Sequence, residues 1–467
     1  MTRWVYFTVL VILISTRTTN LKTDDTCQIH QSVLNWPQLT CTNIDSNFFR
    51  NFKTPLNRTH WIRCANCSLT IIDEKTFNFS RNNVSFLELP ECKVKSVKRF
   101  AFSSFFLLKI LNLRRNEIDY LEPKCFAGLK RLWHLDLSSN LLRILTNNVF
   151  SDLPNLDVLN LTQNQIFYVQ PYAFADLINL KYLYINNNDL KKLEDRMFKH
   201  LSNLKLLYIE RNNIIEIHQN AFIGLKNLNY LYLNHNSISF LVQYNFKPLT
   251  SLFNLQLRFN NLSEIQVSSF NGLKNLRYLY LGDNHISLIK PYGLIGLDSL
   301  VVLELVRNNF SSIDFSYFDK LPKLYILWLN ENYISNFIIN SENEVQNSLA
   351  VVDLSFNKLA NFNYTILHKK MPNIKEIVFA NNSHSCDFLT DLYRFYLLKN
   401  ISLCLTTSCR PNETNFYIDT ICLESFESTI EPIYNITDDY STAFAPTFGI
   451  SVWFYTALFF IVFLHCY

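Results

Sequence analysis

Two short spacings in this chain have residue types that could do chemistry. Cys64-Ala-Asn-Cys67 has the form of half a zinc site, in which two thiolates grip one ion. A full site needs further donors, and no second C-x-x-C or C-x-x-H accompanies it. His134 and Asp136 are the types for a general base and its orienting carboxylate, but no nucleophile is aligned with them. The G-x-S-x-G, H-E-x-x-H and phosphate-loop patterns are all missing from the sequence. The chain therefore reads as a non-enzyme that uses no metal and no cofactor. What remains is recognition chemistry. Tyr182, Tyr184, Tyr208, Tyr230, Tyr232, Tyr278, Tyr280 and Trp328 fall at regular intervals, and Tyr and Trp are the residues that dominate binding hot spots.

The interval comes from one short row, L-x-x-L-x-L-x-x-N-x-L, repeated along the chain. Leu132, Leu135, Leu137, Asn140 and Leu142 make one copy, and Leu156, Leu159, Leu161, Asn164 and Ile166 the next, 24 residues on. The same positions recur from Leu180, Leu204, Leu228, Leu252, Leu276, Leu300 and Leu324. The register runs back through Leu108 to Val84, where Cys92 takes the Asn position, and on through Leu349 and Ile374 in 25-residue steps. A strand alternates its faces, so Leu135 and Leu137 go to one side while His134, Asp136 and Ser138 go to the other. One such strand cannot bury its apolar side alone, whereas stacked neighbours make a continuous core. The Asn amide can satisfy the backbone of the turn that leaves the strand. Phe102, Phe126, Phe150, Phe174, Phe198, Phe222, Phe246 and Phe270, then Leu294 and Phe318, mark the return segment and should fill the back of the core.

These motifs resemble the leucine-rich repeat family over residues 59–382. The resemblance implies an α/β solenoid, a right-handed horseshoe with a parallel sheet on its concave face and Cys-containing caps at both ends. In that arrangement one exposed column carries Asn112, Asp136, Asn160, Tyr184, Tyr208, Tyr232, Gln256, Tyr280, Glu304, Trp328 and Asp353. The adjacent column carries His134, Val158, Tyr182, Leu206, Tyr230, Asn254, Tyr278, Val302 and Ile326. The eight aromatic residues lie within six row steps of about 4.8 Å, a span of roughly 29 Å. If each ring shows about 65 Å², the patch approaches 500 Å². A cross-strand aromatic ladder that only stabilises the sheet is the competing reading.

The ends of the chain speak to compartment. Arg3 followed by the apolar run Trp4–Ile14 and small residues to Thr19 reads as a secretory signal peptide. The apolar run Phe448–Leu464 ends three residues before the terminus with no Lys or Arg behind it. Preceded by Ser441-Thr442-Ala443, it resembles a GPI-attachment signal with Ser441 as the attachment residue, in preference to a transmembrane helix. Net charge is +4, without the concentrated basic stripe that nucleic acid requires. Export would let disulfides staple the caps. Cys27 with Cys41 is the expected N-terminal pair; Cys386, Cys404, Cys409 and Cys422 resemble a leucine-rich-repeat C-terminal cap, although Cys386-Asp387-Phe388 departs from its usual C-x-C opening. Cys67 and Cys92 occupy the Asn slot of successive rows, and Cys125 stands where other rows carry Ala, as a buried thiol. Sequons at Asn57, Asn66, Asn78, Asn83, Asn160, Asn261, Asn309, Asn363, Asn381, Asn400, Asn412 and Asn435 suit a glycoprotein.

The resulting organisation is a signal peptide (1–19), an N-terminal cap with an imperfect first repeat (20–83), repeats (84–382), a C-terminal cap (383–422), a stalk (423–443) and a hydrophobic tail (444–467). The expected protein sits on the outer face of the plasma membrane, tethered by its tail. It binds an extracellular protein or glycan, or a second copy of itself, through the concave face. It resembles the connectin and chaoptin type of adhesion proteins and, less closely, the leucine-rich immune proteins of insects.

Overall fold

The computed structural model describes residues 21–404, with short breaks at 25–26, 32–36, 53–55, 57, 78, 80–81 and 340–341. The signal peptide, Cys409, Cys422, the sequons at Asn57, Asn78, Asn412 and Asn435, Ser441 and the tail lie outside the described residues. So does the whole of the second compact unit, 420–467.

The rows stack as neighbouring parallel strands in one sheet. Three strands open it: β1 (Leu21–Asp24), β2 (Cys27–Gln31) and β3 (Pro37–Thr42), joined as an antiparallel meander. From β3 onward every pairing is parallel, through Trp61–Ala65 and then each row to Ser402–Cys404. The sheet thus extends beyond the thirteen legible rows, taking in the imperfect first repeat and a final strand from the C-terminal cap. Register is strict: Leu135 stands opposite Leu159, Leu159 opposite Leu183, and the 25-residue steps place Leu327 opposite Val352 and Val352 opposite Ile377. Small strand pairs, such as Ile144–Leu145 with Tyr168–Val169, run along the far side of the core. The leucines of the row are fully buried between them.

Two ladders hold the stack together. Asn140 Nδ2 donates to Leu113 O of the preceding row and to Leu137 O of its own, both at 3.0 Å, while its Oδ1 accepts Ile118 N–H at 3.0 Å. Asn164, Asn188, Asn212, Asn260 and Asn284 repeat this arrangement. The residue before the Asn slot, which Cys92 fills in the first row, is left-handed in all thirteen rows from Glu91 to Asn381, with φ between 50° and 57°. None of the thirteen is Gly, so the turn carries about 1–2 kcal/mol of backbone cost per row, which the Asn bonds offset. Behind the core, Phe102, Phe126, Phe150, Phe174 and Phe198 stack with centroids 6.0–6.4 Å apart. Phe222, Phe246 and Phe270 continue the column.

The caps close both ends of the core. Cys27 and Cys41 face each other across the β2–β3 ladder and are disulfide-bonded. Asp45 caps a short helix, α1 (Ser46–Asn51), whose Phe49 packs on Phe77 at 5.0 Å and carries the phenylalanine column into the cap. Cys92 takes over only the donor side of the Asn it replaces: its Sγ lies 3.4 Å from Cys64 O in the row before. Cys64, Cys67, Cys92 and Cys125 are buried free thiols. At the other end lie α2 (Tyr364–Lys370) and α3 (Cys386–Leu397), the latter burying Leu392 and Tyr396. Cys386 and Cys404 are both disulfide-bonded. Among the described residues no helix is long and apolar enough to cross a membrane.

Candidate partner-binding face

Each row contributes a three-residue strand in which an inward Leu separates two outward side chains. Strict register turns the outward positions into continuous columns. Tyr184, Tyr208 and Tyr232 stand in one line, followed by Gln256, Tyr280, Glu304 and Trp328. Tyr182, Tyr230 and Tyr278 lie in the neighbouring line with Leu206 and Asn254 between them. All eight expected aromatic residues therefore share the open face, each half-buried rather than covered by a loop.

The rings form two clusters. Tyr208 is the hinge of the first, 6.2 Å from Tyr184 and 4.9 Å from Tyr232. In the second, Phe253 bridges Tyr230 at 6.0 Å and Tyr278 at 5.2 Å, beneath the Arg277 guanidinium. Partial burial pushes the Tyr184 hydroxyl up to about 12, and the hydroxyls of Tyr208, Tyr232 and Tyr280 also rise. These phenols stay neutral at any physiological pH, so they act as hydrogen-bonding tips on apolar rings.

A charged centre lies among the rings. Two of its members, Glu210 and Arg258, come from the position after the third apolar residue of the row (Ile209 and Leu257). Nothing in the aromatic spacing pointed to that column. Glu210 takes hydrogen bonds from Asn234 Nδ2 at 2.7 Å and from the Tyr208 hydroxyl. Arg258 crosses a whole row to reach Glu304, with Nε 2.8 Å from Oε2 and its guanidinium 4.7 Å from the Tyr280 centroid. It can cross because the row beneath carries Gly282, where an added Cβ would come within 2.7 Å of Glu304 Oε1. Burial raises the carboxyls of Glu210 and Glu304 above the ordinary range. Gly282, one of seven glycines in the chain, is the one mark this centre leaves in the sequence, and it does not by itself show which side chain crosses there.

The other expected residues separate. Asp136 Oδ1 accepts Ser138 N–H at 2.9 Å, a turn also made by Asn112 and Asn160, which gives it a structural task. His134 is pushed below its ordinary value by burial, which leaves it neutral. No group of three or more His, Cys, Asp or Glu that could hold a metal occurs among the described residues. Of the described sequons, Asn66, Asn261, Asn309, Asn363, Asn381 and Asn400 are exposed, whereas Asn83 and Asn160 are half-buried. Asn160 stands directly beside Tyr184, so a glycan there would bound the aromatic face on its N-terminal side. At the C-terminal edge of the face, Trp328, Asp353 and Glu376 line a depression of about 410 Å³.

Rows in this register, with an Asn ladder and one open sheet face, define a leucine-rich repeat protein, typically a non-enzymatic scaffold for binding other proteins. The family model described as Leucine rich repeat matches in overlapping segments between residues 82 and 310. A search of curated proteins finds no match. Among solved structures, a leucine-rich repeat protein of Leptospira interrogans is similar at 23% identity and TM-score 0.60, covering 78% of this chain and 89% of its own. The Toll–Spatzle complex of Drosophila in its glycosylated form matches at 16% identity and TM-score 0.64, covering 84% of this chain and 58% of that one. The LRIM1/APL1C complex matches at 18% identity and TM-score 0.51, covering 77% and 72% respectively. At these identities the likeness is one of fold.

Proposed function

We propose that this protein is a cell-surface recognition and adhesion molecule that takes an extracellular protein or glycan on its concave face. The observation that carries the reading is the run of Tyr184, Tyr208 and Tyr232 in register with Tyr280 and Trp328, half-buried and uncovered. Half-exposed aromatic rings on a rigid sheet lose little entropy on binding, which is why such residues serve as anchors. The face is long and shallow, so it suits an extended macromolecular surface better than a small molecule. The amino-terminal apolar segment, the twelve sequons and the apolar carboxy-terminal run support export, glycosylation and a tether of the GPI type, as in connectin- and chaoptin-like adhesion proteins.

Tyr208→Ala combined with Tyr232→Ala is expected to abolish partner binding while secretion and the thermal midpoint stay nearly unchanged. Both rings are outward, so no core cavity forms, and Glu210, which loses the Tyr208 hydroxyl, keeps its bond from Asn234 Nδ2. Cells expressing wild type or the double variant can be compared for aggregation and for retention of candidate partners; equal binding by the two proteins removes the aromatic face from the argument.

The second reading, an anchored or secreted innate-immunity factor, draws on the similarity in fold to Toll in complex with Spatzle and to LRIM1/APL1C. Binding to microbial surfaces without cell aggregation would favour it.

A further inference from the structure

Resting on the reading of the tyrosine face as the docking surface, we propose that its partner is a polypeptide that inserts an acidic side chain between Tyr232 and Tyr280, against the guanidinium of Arg258. The three outward columns between the Leu180 and Leu324 rows hold just three charged side chains: Glu210, Arg258 and Glu304. The two carboxylates are spent. Glu210 is bonded to Asn234 and Tyr208 and is 8% exposed; Glu304 is bonded to Arg258 and to the Gly282 N–H and is 4% exposed. Arg258 is different. Its side chain is 34% exposed, and only Nε is engaged with Glu304, so its terminal amino groups have no hydrogen-bond partner among the described residues. A ligand settling on this face meets one charge with unused donors, and that charge is positive.

The guanidinium is also held in place. Glu304 grips one edge, the Tyr280 ring supports one face, and Gly282 leaves the space it occupies. A planar fork fixed in this way recognises a carboxylate by two parallel hydrogen bonds at small entropic cost. The margins add exposed Lys205, Arg211 and Arg277, three positive charges, against one net negative charge from the rim trio Asp283, Arg307 and Glu331. Long-range attraction therefore favours an acidic segment. A sulfated glycan would call for a cation at each step of the tyrosine run, and Arg258 alone stands within it.

The test is selection of random twelve-residue peptides on the immobilised full chain, followed by binding measurements on the winners. The expected result is a set of peptides sharing an Asp or Glu, lost with Tyr208→Ala plus Tyr232→Ala, and weakened about tenfold by Arg258→Gln. Arg258→Lys should recover only part of the loss, because an ammonium cannot form the bidentate pair. Gly282→Ala should weaken binding several-fold by pressing on Glu304. If Arg258→Gln misfolds for want of a partner for Glu304, Arg258→Gln with Glu304→Gln leaves no unpaired charge at that position and serves in its place. Winners that need the tyrosines but are neutral or basic, or that bind the Arg258 variants as well as wild type, overturn the acidic-partner proposal and leave the docking face standing. Winners indifferent to the tyrosines sink the docking face itself. A selection without winners, with a heparin-derived hexasaccharide binding through Arg258 instead, assigns the site to a glycan and overturns the proposal.

Discussion

A single amide carries much of the connection between neighbouring rows. Asn188 Nδ2 donates to Leu161 O at 3.0 Å and to Ile185 O at 3.1 Å, and its Oδ1 accepts Ile166 N–H at 2.9 Å. These groups are buried, and a buried backbone group left without a partner costs about 1–3 kcal/mol. Asn188→Ala is therefore expected to lower stability by about 3 kcal/mol, read as a shift in urea midpoint. Asn179 belongs to a second Asn column that also reaches one row back, to Pro154 O at 2.8 Å, but in an exposed place. Asn179→Ala should change stability by no more than about 0.5 kcal/mol, because water replaces what is lost. Equal losses in the two variants would mean that burial is not what makes the inner ladder matter. The role of Asn140 and its equivalents was legible from the row alone. The left-handed residue before each Asn was not, since Ser139, Arg211 and Phe259 carry no preference for that conformation.

Strands three residues long are weak alone, and here they persist because each is locked between two copies of itself. That locking places charge where the chain would otherwise keep it wet. Glu210 lies between tyrosine-bearing strands, and burial raises its carboxyl above the ordinary 4.5. The folded chain then holds this proton more tightly than the unfolded chain does. In the window between the ordinary and the raised values, stability falls as pH rises. Glu210→Gln removes that penalty while keeping an oxygen for Asn234 and an amide for Tyr208. The variant's advantage in melting temperature is thus expected to be small near pH 4.5 and to grow toward pH 7. A difference that stays flat across that range would show that Glu210 contributes nothing to the pH dependence. The aromatic columns were foreseeable because strand alternation assigns them to one face. The Arg258–Glu304 strut was not, since its partners are 46 residues apart and meet only because Gly282 leaves a gap between them.

A solenoid adds length without adding a new core, so its two ends are where it is exposed and where it has to be closed. The Cys27–Cys41 meander and the α3 helix do this at opposite ends of the stack. The proposed tether follows the C-terminal cap in sequence, and it is tested on whole cells. Treatment with a phosphatidylinositol-specific phospholipase is expected to release the protein into the medium, as measured by an epitope placed after residue 20. Retention of the protein together with an intact C-terminal epitope would mean a transmembrane helix instead. Export and attachment are statements about processing signals, which are read as linear sequence, and the folded rows do not bear on them.

What the chain determines by itself is periodicity. Leu, Asn and Phe returning every 24 residues point to stacked parallel strands, because one row cannot bury its apolar side alone and stacking gives all three series a common core. That same period assigns the tyrosines to the outward columns. Tertiary structure decided what lies between them: which carboxylates are used up, which guanidinium retains free donors, and where a missing Cβ lets a side chain cross a row. Those outcomes depend on distances between rows rather than on order along the chain, and only packing sets such distances.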